Sequence, residues 1–197
     1  MRYRKKPKSL YGNKSCQALF FLCEDMKPYT MILQRMGDND AATIIDTEKM
    51  YNIACTSTPF LPFSESKDVF TRDWPEEDGE DVYINAIKRK AYDWEIGLCY
   101  KGEAHSAYEW IMYFLHLLLD RDDRMKIGYP LFRMYFPYLE FGRKGVYLKK
   151  FSEDSLYIDR DENIVTFSMT FRVTDPVTTL VPVMSGDNIT GFTEKII

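Results

Sequence analysis

Apolar and polar residues alternate strictly from Tyr92 to Tyr100. Tyr92, Trp94, Ile96, Leu98 and Tyr100 fall on one side, and Asp93, Glu95, Gly97 and Cys99 on the other. A period of two over this length predicts an antiparallel strand with one buried and one wet face. The pattern returns where Val165, Phe167, Met169, Phe171 and Val173 alternate with Thr166, Ser168, Thr170, Arg172 and Thr174. Between the two, Lys101-Gly102 breaks the alternation and the spacing becomes helical. Ala104, Ala107, Ile111, Phe114, Leu115 and Leu118 form one stripe of a helix expected over about 103–120. Trp110, Tyr113 and Leu117 lie off that stripe. The helix is therefore apolar over more than one face. A second surface, either a loop of the same chain or a neighbouring subunit, is expected to cover the extra face.

The remaining elements are shorter. Gln17–Leu22 and Tyr29–Met36 are apolar runs of strand length, with a turn at Gly37-Asp38-Asn39-Asp40. Ala42–Asp46 reads as a short strand, and Met50–Ala54 fits a strand or a helical turn equally. Glu80–Lys88 reads as a strand with Val82, Ile84 and Ala86 on one face. Ile127–Phe141 is aromatic but interrupted by Pro130 and Pro137, which predicts an edge strand or a loop, because proline lacks the ladder donor. Val146–Phe151 and Leu156–Ile158 read as strands, followed by a hairpin-type turn at Asp159–Asn163. Asp175-Pro176 is expected to end the second alternating strand, leaving a weak strand over Thr179–Val183. The resulting fold class is α+β, mainly β: an antiparallel β-sandwich or barrel with one long amphipathic helix. The expected organisation is a basic arm over 1–10, one domain over 11–185 and a C-terminal tail over 186–197.

Composition narrows the function classes. A chain of 197 residues fits one domain able to bury roughly 70% of its unfolded surface without disulfide staples. Aromatic residues reach 15%, with 14 Tyr and 13 Phe, which favours pleated half-buried surfaces and also suits subunit contacts. The net charge of −4 argues against whole-surface nucleic-acid binding. The charge is uneven. Arg2, Arg4, Lys5, Lys6 and Lys8 make a basic arm that reads as a solvated tail, and Glu76-Glu77-Asp78-Gly79-Glu80-Asp81 is an acidic run without the ligand spacing of a calcium loop. No apolar stretch approaches a membrane span, and no signal-peptide core follows the basic arm. The protein is expected to be made in a reducing cytoplasm, with Cys16, Cys23, Cys55 and Cys99 as thiols.

Catalytic chemistry finds no motif. The two histidines, His105 and His116, both sit on the expected helix at a rise of roughly 16 Å, too far to meet on one ligand. The cysteine spacing suits no zinc site. Phosphate-binding glycine loops and nucleophile elbows do not occur. The expectation is a non-enzyme that uses no cofactor and no metal. A binding surface is the alternative. Thr58–Glu80 is loop-like, with Pro59, Pro62, Pro75 and Gly79, and its Phe60, Phe63 and Trp74 must bury either under the loop or in a partner.

The order of the C-terminal half carries a resemblance. A turn near Asp78-Gly79 and a strand precede the alternating Tyr92–Tyr100 segment. Lys101-Gly102, one helix and aromatic strands including Gly145–Phe151 follow, and the series closes on Val165-Thr-Phe-Ser-Met-Thr-Phe-Arg-Val-Thr-Asp-Pro176. Over roughly 78–183 this resembles the β-sandwich-plus-helix module of phage tail proteins, particularly the N-terminal domain of distal tail (baseplate hub) proteins and the related tail-tube fold. The resemblance implies a structural subunit of a phage or prophage tail, of distal tail, tail-tube or tail-terminator type. It also implies assembly into a ring, commonly hexameric, with other tail proteins as neighbours and DNA passing through the channel without being read. The location implied is the virion tail. On this reading the chain is expected to depart from the distal tail pattern in lacking its second, C-terminal domain, and its first 75 residues match no part of it. A protein- or glycan-binding module using loop 58–80 and an enzyme without a recognisable motif are the competing readings. The candidate partner contacts are Trp110, Tyr113, Leu117, Phe60, Phe63 and Trp74.

Overall fold

A computed structural model describes residues 28–38, 41–60, 63–68, 71–73, 78, 80–82, 88–119, 130–159 and 164–196. The basic arm, the run Gln17–Leu22, Cys16, Cys23, Trp74 and residues Glu76, Glu77 and Gly79 of the acidic run lie outside them. The described strands are β1 (Ile32–Arg35), β2 (Ile45–Asp46), β3 (Ile53–Ser57), β4 (Thr71–Asp73), β5 (Glu80–Val82), β6 (Tyr92–Tyr100), β7 (Phe132–Phe136), β8 (Phe141–Asp159), β9 (Ile164–Val173), β10 (Thr178–Ser185) and β11 (Asn188–Ile196). A short helix α1 (Thr47–Tyr51) links β2 to β3, and the long helix α2 (Ala107–Leu119) follows β6. The fold is mainly β with one long helix, as the periodicity indicates.

Every pairing is antiparallel, in the order β2-β1-β7-β8-β9-β6-β3. The sheet curls into a half-barrel, and one bridge joins the segment before β1 to β3. Just before β1, Tyr29 donates to the Cys55 carbonyl at 3.1 Å, and the Cys55 amide donates back to Tyr29 at 2.8 Å. That bridge covers the outer edge of β3, where open ladder groups would otherwise offer a template for association. The core fills the inside of the curl. Trp94, Ile96, Leu98 and Tyr100 of β6 meet Val165, Phe167, Met169, Phe171 and Val173 of β9, and α2 closes one end with Ala107, Ile111, Phe114 and Leu118. Trp94 anchors it, with its ring edge-on to Phe136 and Phe141 and its indole N–H donating to the Pro59 carbonyl at 2.6 Å.

Several elements differ from the sequence expectation. Met50–Ala54 splits: Asp46 caps α1 by accepting from the Glu48 and Lys49 amides, Asn52 ends it in the left-handed region, and Ile53 starts β3. In place of one strand over 42–46 there is a 3-10 turn over Ala41–Thr43 and a two-residue β2. The stretch 58–80 is not loop throughout, since β4 lies within it and pairs with β5. Strand β7 is interior, flanked by β1 and β8, because Pro130 and Pro137 bracket it rather than interrupt it. The two strands expected over 146–158 are one irregular strand, β8.

The largest difference is at the C-terminus. Asp175-Pro176 is a joint rather than an end. Asp175 accepts from the Val177 and Thr178 amides at 3.1 and 3.0 Å, and the chain resumes as β10 along the same side of β8. Within the stretch 186–197 expected as a tail, Asn188–Ile196 forms β11, which pairs back on β10 after a turn at Gly186 (φ +60°). This hairpin folds over the outer face of β1 and β7, where Ile32, Tyr135 and Leu180 form a second small core flanked by Ile44, Ile189 and Phe192.

Candidate assembly surfaces

Helix α2 presents the first surface. Of the expected stripe Ala107, Ile111, Phe114 and Leu118 are buried, while Leu115, and Ala104 on the preceding 3-10 turn, are only partly buried, as are Trp110 and Leu117, which also pack against the main core. The reason is angular. Trp110 stands three residues after Ala107 and Leu117 three after Phe114, so both flank the stripe instead of opposing it. The aromatic surface left in solvent is Tyr113 (51% exposed) and Tyr108 (76%), which the sequence reading passed over. Trp110 holds Tyr113 edge-on at 6.0 Å, and the Tyr113 hydroxyl donates to Glu109 at 3.0 Å. That bond to a carboxylate raises the Tyr113 hydroxyl above its ordinary range. Leu119 extends the exposed apolar face at the helix end. His105 and His116 are exposed and apart, on the preceding 3-10 turn and on α2.

The loop after β3 makes the second surface. Phe60 is 58% exposed, yet its ring meets Phe141 edge-on at 5.0 Å, and the preceding residue Pro59 accepts the Trp94 indole. Phe63 is 54% exposed under the Arg89 guanidinium at 5.5 Å. The loop base is thus fastened to the core while one face of each ring meets water. Trp74 lies outside the described residues. A third apolar stretch, Leu156-Tyr157-Ile158, is exposed near the far end of β8.

Polar chemistry is structural in character. On the outer face of the β6–β8–β9 sheet, Asp93 accepts from Lys149 at 2.5 Å and Arg172 at 2.8 Å, which holds its carboxyl below the usual range. Arg143 is fully buried. It donates to the Thr179 hydroxyl at 3.2 Å, lies 4.8 Å from the Phe141 ring and faces the Tyr92 hydroxyl. It ties the joint between β9 and β10 to β8 and β6. Burial pushes the Cys55 thiol up, against a hydrogen bond with Thr58, so it is not a ready nucleophile. Among the described residues, no group of three or more His, Cys, Asp or Glu side chains is placed to hold a metal ion, and no helix is long and apolar enough to cross a membrane.

No protein-family model matches the sequence, and no curated protein matches it. Among solved structures, the chain is similar to the SPP1 Dit (gp 19.1) protein, described as a paradigm of the hub adsorption apparatus in phages that infect Gram-positive hosts. Identity is 13%, the match covers 77% of this chain and 52% of that one, and the TM-score is 0.48. The chain thus matches about half the length of that protein.

Proposed function

We propose that this chain is a structural subunit of a phage or prophage tail, of distal tail, tail-tube or tail-terminator type, and that it acts by self-assembly rather than catalysis. The observation that carries the reading is the aromatic surface that α2 leaves in solvent. Tyr108 and Tyr113 stand in solvent on a helix whose other side is fully used by the core. Tyrosine on a rigid element offers large contact area at low entropic cost, the signature of a surface that meets another protein. The element order supports the same reading: β6, one helix, aromatic strands and a late strand running into Asp175-Pro176. In this reading the chain forms a ring, hexameric in the simplest case, seats other tail proteins and lets DNA pass without base contacts. Its place is the virion tail.

Light scattering at high protein concentration with negative-stain electron microscopy tests the proposal. The expected result is a ring that the double substitution Tyr108→Ser, Tyr113→Ser abolishes while leaving the fold intact. A protein that stays strictly monomeric, forms no ring and engages no tail protein overturns it. A second reading, a binding module, is favoured by the exposure of Phe60 and Phe63. It predicts that Phe63→Ser abolishes partner capture while the Tyr108 and Tyr113 substitutions do not.

A further inference from the structure

We propose that the β10–β11 hairpin is a flap that opens as a unit on the Asp175-Pro176 joint while the curled sheet stays folded, and that a cluster of four charges latches it shut. The proposal is independent of the assembly reading. It rests on how unequally the hairpin is attached along its length. At its base, Thr179 opposite Arg143 is the hairpin's one register pair with β8. The seat beneath is a small core, Ile32, Tyr135 and Leu180, separate from the main one, with Phe192 against Tyr135 at 5.6 Å. Beyond Leu180 the hairpin buries little, with Val181, Val183 and Met184 exposed. A groove of about 750 Å³ opens there between Pro182, Met184 and Ile189 on the hairpin and Tyr135 and Pro137 below.

The latch lies across the seat. Glu194 of β11 accepts from Lys144 of β8 at 2.7 Å and faces Arg133 of β7 at 3.6 Å, and Lys144 also reaches Asp175 in the joint at 3.4 Å. One carboxylate on the moving arm therefore bridges two cations on the fixed sheet, and one of those cations also holds the hinge. A segment with few buried apolar contacts and a polar clasp opens before the body to which it is attached.

Native-state hydrogen exchange of the full chain tests this, with two variants. Glu194→Gln removes the bridging charge without stranding either cation, because Lys144 keeps Asp175 while Arg133 keeps the Gln34 side chain and the Asp38 carbonyl. Exchange of β10 and β11 amides is expected to quicken about fivefold in Glu194→Gln, with β6 and β9 amides unmoved. Phe192→Ala, which strips the seat rather than the latch, is expected to quicken the same amides about tenfold or more. Hairpin and sheet amides exchanging together, at one rate in the parent and both variants, overturns the flap. Hairpin exchange unchanged in Glu194→Gln overturns the latch.

Discussion

The β6–β9 and β10–β11 ladders have almost the same length but different fates. The first has nine residue pairs in unbroken register, and the second has eight with a shift between Val183 and Met184. Both are antiparallel ladders, although Pro182 in β10 has no amide to donate. They differ in what the side chains bury. β9 buries every second residue from Val165 to Val173, and β6 buries Trp94, Ile96, Leu98 and Tyr100 on its inner face. In the hairpin, the only buried hydrophobic residue is Leu180, while Val181, Val183 and Met184 stay exposed. Hydrogen bonds contribute little net stability per pair because water offers the same bonds, whereas each buried side chain adds about 1.5–3 kcal/mol. The ladder sets the shape, and burial decides which part is the body and which the appendage.

The largest test of the contrast is Trp94→Ala. It removes a fully buried ring, its edge contacts to Phe136 and Phe141 and its bond to Pro59. Denaturant unfolding is expected to show a loss of about 3–5 kcal/mol, felt by all probes at once. Leu180→Ala removes the central buried residue of the hairpin and is expected to cost about 2 kcal/mol. That loss should register as faster exchange in β10 and β11, with a smaller change in the global midpoint. An equal drop in global stability for the two variants would show one cooperative unit and erase the distinction.

The same contrast explains what could be read in the sequence. β6, β9 and the buried stripe of α2 repeat a strong period because the core selects residues at every turn or pleat, so Tyr92–Tyr100 is recovered residue for residue and Val165–Val173 lies within β9, which begins one residue earlier. β11, with Asn188, Thr190, Gly191, Thr193, Glu194 and Lys195 in its nine positions, carries no such period because little of it is buried. β7 was hidden by the prolines that bound it. A proline just outside a strand and one within it look alike until the partner strands are known, and β1 and β8 are far away in sequence. On the candidate surface, helical spacing identified Tyr113 but set Trp110 and Leu117 apart from a stripe they in fact flank. Tyr108 stands one position after the buried Ala107, about 100° round the helix, and flanks the stripe on the side away from Trp110 and Leu117.

Acid titration sharpens the comparison, since the β6–β9 ladder and the joint that leads into the hairpin each carry one carboxyl held below its ordinary value of 3.8. Burial pushes the Asp175 carboxyl up, but hydrogen bonds from the Thr178 side chain and the Thr178 and Val177 amides, with Lys144 beside it, outweigh that and bring it down. A carboxyl depressed in the folded chain stabilises the fold wherever the unfolded group is ionised. The contribution is complete above pH 3.8 and is lost as pH falls from there through the lowered folded value. Asp175→Asn is therefore expected to cost about 1 kcal/mol at pH 7, after allowance for screening, and progressively less as pH falls below 3.8. The loss should appear in the exchange of the hairpin.

Asp93 gives the smallest effect. Lys149 and Arg172 hydrogen-bond its carboxyl and outweigh the modest upward push of burial, so its pKa is lowered as well. The sign is the same as for Asp175: stabilising above 3.8, fading below. The site is open to water, however, and the pair of bonds crosses the wet outer face of strands already fixed by the core behind them. Asp93→Asn is expected to cost about 0.5 kcal/mol at low ionic strength, and most of that should vanish in molar salt. Urea midpoints at two salt concentrations measure it. A loss several times larger that persists in salt would mean that the outer face of β6 contributes to stability beyond what its exposure allows, and that the body of the fold does not rest on its inner face alone.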